Sequence, residues 1–426
     1  MAKPKLALIP ATQGSKLYSV LPADGVGDFD FSRNTIATRI NSQGLIETVA
    51  SGVSRLNYPL IDGVVNGCPS HLLEPEILQK IQYSEDFSQG YWNKSLISVT
   101  QNNSVSPNGL QTADKIVSGN STGSHFFRRT GLTYSATNNT FSVFAKFTDD
   151  LFKEFHFVIY DGSNHFAYFD VKDGVVSSAD SGITASMVNY GNGWYRCIAT
   201  YQTLSTSGGQ IKVELGDSTS VTGDGSSGMF FWGMQWEVAN YATSYIPNYG
   251  TSAGVTRSAE TAIGAGDAST FNDSEGVLMA EISALSDDDS ARKIAIVEGS
   301  TQNQVSIGYS TSTKKIRAIT YDGALKGETF TNVYDVLSSN KVAYKYKSGD
   351  NVLWVNGFAL DTSSDTNILD GITLNSLNFD ANSSDFYGNV KQLQYFDSAL
   401  NDSDLETLTS WTSFTDLANG QLYTIE

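Results

Sequence analysis

Two cysteines in 426 residues, Cys68 and Cys197, lie over a hundred positions apart. They exclude a disulfide framework and any zinc site built on closely spaced thiolates. The four histidines, His71, His125, His156 and His165, form no H-E-x-x-H pair. Charge is scarce at 17% and lopsided, with 27 Lys and Arg against 45 Asp and Glu, a net −18. A surface of that sign disfavours a phosphate-tracking groove, so nucleic acid is not an expected partner. Arg128 and Arg129 in "HFFRRTG" read as a solvated strand edge. No stretch approaches the ~18 apolar residues of a membrane span, which predicts no membrane insertion. The opening "MAKPKLALIPATQGSK" is interrupted by Pro4, Lys5 and Pro10 and is too short for a signal-peptide core, so folding in a cytoplasm is expected.

What remains is a chain rich in 38 Gly, 21 Tyr, 22 Phe and uncharged polar residues. That composition suits sheets joined by polar turns better than helices. The length allows two or three domains at roughly 100 to 200 residues each. The fold class expected is mainly β: an extended N-terminal arm followed by two tandem antiparallel β-sandwich (jelly-roll) domains. Residues 1–80 carry too few apolar residues on one face to close a core, and read as an arm for attachment or oligomerisation. Within them "TIATRIN", an "SQG" turn and "LIETV" form a hairpin. Residues 81–257 are strand-like runs at sandwich spacing, among them "TFSVFAKF", "EFHFVIYDG", "HFAYFDVKDG" and "GMFFWGMQWEVA". A linker, 258–269, leads to a second sandwich over 270–426. There Asn356-Gly357 marks a type I′ hairpin. Ser403 and Glu406 form a capping box for a short helix that buries Leu405 and Leu408.

Motifs of chemistry fail on context. Gly223, Gly225 and Gly228 have G-x-G-x-x-G spacing but lead into a strand, not the helix that holds a pyrophosphate. Gly119-Asn-Ser121-Thr-Gly123 lacks the strand-to-helix turn of a nucleophile elbow. A retaining carboxylate pair must lie about 5 Å apart on one face, and Glu237, Glu281 and Glu298 each stand alone in their strands. A pair across different strands stays open. No catalytic residue, metal ligand or cofactor is assigned, although Asp149-Asp150 and the run Asp287 to Asp289 leave a structural calcium open beside the favoured reading of solvated acidic turns. Trp232 and Trp236, with Phe230 and Met234, read as one core face. The opposite alternation selects Lys146, His156, Tyr160 and Gln235 as a ligand-binding set.

The runs "FSRNTIATRINSQGLIETV", "SRLNYPLIDG", "YSEDFSQGYWNK", "SPNGLQTADKI", "NGWYRCIATY", "FFWGMQWEVANYATSYIPNYGT" and "VTRSAE" occur in order between about residue 25 and 260. Together they resemble a family of virion structural proteins of tailed bacteriophages, of head-fibre, tail-fibre or carbohydrate-binding-module-like type. "LWVNG" and "FYGNVKQLQYFDSALNDSDLETL" resemble concanavalin-A-like lectin and laminin-G-like domains, which often bind glycans, sometimes through calcium. The resemblance implies a non-enzymatic protein of the virion surface, made in the host bacterial cytoplasm. It further implies attachment to other virion proteins through the N-terminal region, weak multivalent binding of host-surface glycans, and a homo-oligomer, with a trimer expected from fibre analogy. The alternatives are a polysaccharide depolymerase or glycosidase of the particle, and a purely structural spacer.

Overall fold

The apolar and polar alternations of the chain fold as strands in a computed structural model that describes residues 2–299, 302–311, 315–332, 334–365, 369, 371–380 and 384–411. Within 81–257 they make two six-stranded antiparallel sheets packed face to face. One, here the open sheet, runs Asn93–Ser95, Phe126–Tyr134, Thr206–Leu215, Glu154–Tyr160, Asn164–Asp170, Val175–Ala179 in spatial order. The other, the covered sheet, runs Ile97–Ser104, Ala113–Ser118, Gly228–Glu237, Asn138–Lys146, Trp194–Gln202, Ile183–Asn189. Every second residue of both enters a shared core that includes Phe127, Phe141, Phe155, Phe157, Phe169 and Phe231.

One glycine breaks the alternation and corrects the sequence reading of this core. Gly233 sits at φ 66°, and the register against Asn138–Lys146 slips there, pairing Gln235 with Ser142 but Trp232 with Phe144. Such a bulge reverses side-chain parity. Met229, Phe231, Met234 and Trp236 therefore point into the sandwich, while Phe230 and Trp232 point out of it. Trp232 does not share a face with Trp236. On the outside it meets Phe144, Trp194 and Tyr245, over which Ile46 of the hairpin Ala37–Ile40 with Ile46–Val49 is laid. That hairpin, at the "SQG" turn, is as the sequence indicates, but it roofs the middle of one sheet, leaving Ser98, Thr100, Thr184, Ser186 and Val188 of the outer strands exposed.

The second sandwich pairs an eleven-stranded sheet with a five-stranded one. The larger contains Glu275–Ala284, Asn340–Lys347, Asn351–Val355 and Phe358–Ser363 beside Gly388–Phe396, and also strands from the first 80 residues. Leu6–Gln13 pairs with Gly388–Phe396, and Leu6, Leu8, Leu17, Phe29 and Phe31 lie in the same core as Leu278, Ile294 and Leu393. The segment 1–80 is thus folded against both sandwiches. The linker is also structured: Thr261–Ile263 forms the sheet's edge on Phe29–Ser32. Asn356 and Gly357 take φ 51° and 90°, the positive values a type I′ turn needs. Helix Asp402–Thr409 buries Leu405 and Leu408 but is capped by Asn401, whose side chain accepts from the Asp404 N–H at 2.9 Å, and not by the Ser403 box.

Where the two sandwiches and the N-terminal segment meet, Arg33, Arg55, Glu74, Arg257 and Glu260 are all buried. Arg33 donates to Glu260 at 2.7 Å, Arg55 bridges Glu260 and Glu74, and Arg257 lies 2.8 Å from Glu74. Burial alone would raise the Glu74 carboxyl, but Arg257 and Arg55 beside it hold it down at about 2.

Two results are expected. At φ 66°, Gly233→Ala is strained and sets its Cβ 2.9 Å from the Phe144 ring, so thermal unfolding should show a loss of about 1–3 kcal/mol. Glu74 is depressed below its ordinary 4.5, so its stabilisation is full above that value and lost as pH falls towards about 2. The melting temperature should drop across that window, and Glu74→Gln should lower it at pH 7 while flattening the acid dependence. A flat wild-type profile from pH 4.5 to 2 would contradict the assignment.

Candidate functional site

The open sheet owes its name to its outer face. Strand pairing sets three rows across it: Phe126, Glu214, His156 and Tyr168; Arg128, Lys212, Val158 and Phe166; Thr130, Gln210, Tyr160 and Asn164. The parity follows from their neighbours, since Phe127, Val213, Phe157 and Ala167 fill the core beneath. Phe126, Tyr160, Phe166 and Tyr168 are half-buried, leaving parts of their rings in solvent.

The rings form a strip. His156 stacks on Tyr168 at 4.6 Å, and Phe166 lies nearly parallel to Tyr168 at 6.0 Å. The Arg128 guanidinium and the Lys212 ammonium, both from the adjacent row, each lie 5.1 Å from the centroid of Phe126. Below the strip, Glu214 is fully buried. Lys212 Nζ lies 2.6 Å from its Oε2 and Ser124 donates to its Oε1. His156 Nε2 stands 3.2 Å from Oε2 and Nδ1 3.0 Å from the Gly216 carbonyl. Burial pushes the Glu214 carboxyl up, but His156, Lys212 and Ser124 outweigh it and hold it at about 2. The carboxylate is therefore an anchor that fixes the cation and imidazole under the rings. Burial also raises the Tyr168 phenol, so it stays protonated and can donate a hydrogen bond.

The four residues selected from sequence are not brought together. His156 and Tyr160 belong to this face, His156 as a buried support and Tyr160 at the rim. Lys146 and Gln235 lie on the other sheet. Gln235 is fully buried, its amide oxygen accepting from the Ile246 N–H at 2.7 Å and its amide nitrogen reaching the Ser244 carbonyl at 3.4 Å. The segment carrying Ser244 and Ile246, laid across it, is what removes it from solvent. Lys146 ends its strand half-buried, its stem beside Gly193. Phe126, Arg128, Phe166, Tyr168, Lys212 and Glu214 were missed. The signal was available: in "FFRRTG", "HFAYFD" and "GQIKVELGD" the same two-residue alternation sets them opposite the core residues.

The acidic turns hold protein partners. Both oxygens of Asp288 accept from Arg292 Nη2, at 2.7 and 2.8 Å, Asp287 pairs with Lys315, and Asp150 lies 2.6 Å from Lys172. Among the described residues no group of three or more His, Cys, Asp or Glu is placed to hold a metal ion. No described helix is long and apolar enough to cross a membrane. On the second sandwich a mainly apolar concavity of about 630 Å³ is lined by Ile9, Pro59, Cys68, Lys341, Lys391 and Trp411.

No protein-family model matches the chain, and no curated protein matches it in sequence. Among solved structures it is similar to domain 4 of a GH43 extracellular arabinanase from Geobacillus stearothermophilus, in complex with arabinotriose, at 12% identity and TM-score 0.31, over 36% of this chain and 73% of that one. It is similar to a mutant Trypanosoma rangeli sialidase displaying trans-sialidase activity at 13% and 0.27, over 64% of this chain and 52% of that one, about half of the sialidase's length. The tandem CBM22 domains of Paenibacillus barcinonensis Xyn10C match at 10% and 0.26, over 77% and 99%. These are carbohydrate-active proteins. At such scores the likeness carries no argument about what this chain binds, which rests on its own residues.

If Glu214 anchors the face, Glu214→Gln should leave the strands intact and loosen Lys212 and His156. The Glu214 carboxyl is held below its ordinary 4.5, so its stabilisation is full above that value and lost as pH falls towards about 2. The melting temperature should therefore fall less steeply with acid in Glu214→Gln than in the wild type, and an identical acid profile in the two would contradict the anchoring.

Proposed function

We propose that this is a non-enzymatic glycan-binding protein whose open-sheet face in the first sandwich holds saccharides. The observation that carries the reading is the strip of half-exposed rings bordered by fixed donors and acceptors. A sugar ring has a face of C–H bonds, weakly positive, and a rim of hydroxyls. The first suits the negative face of Phe126, Phe166 and Tyr168, and the second suits Arg128, Lys212, Gln210 and Asn164. Of the twelve residues in the three rows Glu214 alone is a carboxylate, and it is buried and paired. A glycosidase needs two facing a groove, so the arrangement supports binding over cleavage.

The setting we propose is the surface of a phage particle, as a head fibre or decoration or a tail fibre, attached to other virion proteins through the N-terminal region. It rests on the sequence motifs alone. A shallow face of this kind binds each sugar weakly, and a homo-oligomer such as a trimer, many times repeated on a particle, would convert weak contacts into avidity. Host-surface glycans are the proposed ligands.

The full chain, multimerised and applied to a glycan array, should retain a subset of saccharides. Phe126→Ala with Tyr168→Ala should weaken that binding at least tenfold, about 1.4 kcal/mol, with circular dichroism unchanged. Retention of no saccharide, equal binding by the double variant, or release of reducing ends from a bound polysaccharide would each overturn the reading.

A further inference from the structure

A second feature of the first sandwich lies off this face, at the sandwich's edge. Strand Phe126–Tyr134 slips register between Thr130 and Leu132, with Gly131 at φ 72°. The bulge opens a groove of about 290 Å³ beside it, lined by Lys80, Gln82, Tyr91, Arg129, Trp236 and Ser252 among others. Bulges at sheet edges commonly re-aim side chains in this way.

The groove holds two cations that no carboxylate neutralises. The Arg129 guanidinium lies 4.4 Å from the centroid of Tyr91, and its Nη1 lies 3.5 Å from the Tyr91 carbonyl oxygen. The Lys80 ammonium lies 4.7 Å from the centroid of Trp236. Among the described residues neither has an ion-pair partner, in a chain with 45 acidic residues for 27 basic ones. Arg55, Arg257, Lys212, Arg292 and Lys345, by contrast, each contact a carboxylate. Both groove cations are fixed from behind, since a ring face beneath each limits its directions. Lys80 is further set by its own N–H, which donates to the Trp236 carbonyl at 3.0 Å. Burial lowers the Lys80 pKa, the mark of an ammonium partly stripped of water without an anion to replace it.

We propose that this groove is an anion subsite for an acidic sugar, with Lys80 and Arg129 together taking the sugar's oxyanion, a carboxylate or a phosphate. Gln82 and Ser252 supply hydroxyl partners, and Tyr91 and Trp236 supply walls. The volume is at the small end of ligand pockets, roughly 300–1,000 Å³, and suits a single sugar unit. The site is separate from the open-sheet face and does not depend on it.

The test is calorimetric titration of the full chain carrying Phe126→Ala and Tyr168→Ala, so that the open face is disabled, with D-glucuronate, D-glucose 6-phosphate and neutral D-glucose. Saturable heat with either acid and none with glucose is expected, weakening as salt rises from 50 to about 500 mM. Glucuronate alone binding assigns a carboxylate; the phosphate ester alone binding assigns a phosphoryl group; both leave the subsite as proposed. Lys80→Gln or Arg129→Gln should lower affinity at least tenfold, and Lys80→Arg, which keeps the charge, should restore most of it. No saturable binding of either acid up to about 10 mM, or binding that survives both glutamine substitutions in folded protein, would overturn the proposal. Failure of the array experiment with success here would sink the open-face reading and leave this one standing.

Discussion

Three guanidinium groups and two carboxylates shut away from water hold this molecule in its arrangement. Arg33, Arg55 and Arg257 share Glu74 and Glu260, and the surplus positive charge is met by neutral oxygens: the Thr35, Ala50, Thr38 and Pro75 carbonyls and the Ser244 hydroxyl. Such a cluster contributes little net stability compared with apolar packing of the same volume, but removing one member strands the rest and costs about 3–5 kcal/mol. Its value is therefore positional. It ties residues 33, 55 and 74 to 257 and 260, where the first sandwich ends and the second begins.

From that clamp follows which surface is free. With Arg33 and Arg55 fixed, the hairpin between them is held over the covered sheet, where Ile46 meets Phe144, Trp194 and Trp232, and Thr38 bonds the Tyr245 carbonyl. Two sheets that would otherwise both offer an outer face become one roofed over its middle and one open. The open one carries half-exposed rings with a buried carboxylate beneath them. A roofed sheet gives rigidity, and the rigidity holds the strip in one geometry, so a shallow face need not order itself on binding.

Much of this was legible in the chain. The strands, the "SQG" hairpin, the Asn356-Gly357 turn and the closing helix follow from local alternation and turn chemistry. The pairing of Leu6–Gln13 with Gly388–Phe396 was not, because its partners are almost the whole chain apart and no local pattern names a distant strand. Gly233 was visible as a glycine, but a bulge depends on the neighbouring strand's register, so Trp232 read as core beside Trp236. Gln235 was selected by sound parity and lost to the Ser244 and Ile246 segment, which only tertiary packing lays over it. The rows of Phe126 and Tyr168 were readable by the same alternation that selected His156 and Tyr160. Arg33, Arg55, Arg257 and Glu260 lie inside "FSRNTIATRINSQGLIETV", "SRLNYPLIDG" and "VTRSAE", so three of the quoted runs contribute to the clamp.

The central claim is that the clamp makes two sandwiches and the first 80 residues one cooperative unit. Scanning calorimetry of the full chain tests it directly. The wild type should unfold in a single transition whose calorimetric and van't Hoff enthalpies agree, and Glu260→Gln should split it in two, one for each sandwich. Two separate transitions in the wild type, or an unsplit and unshifted one in Glu260→Gln, would contradict the account.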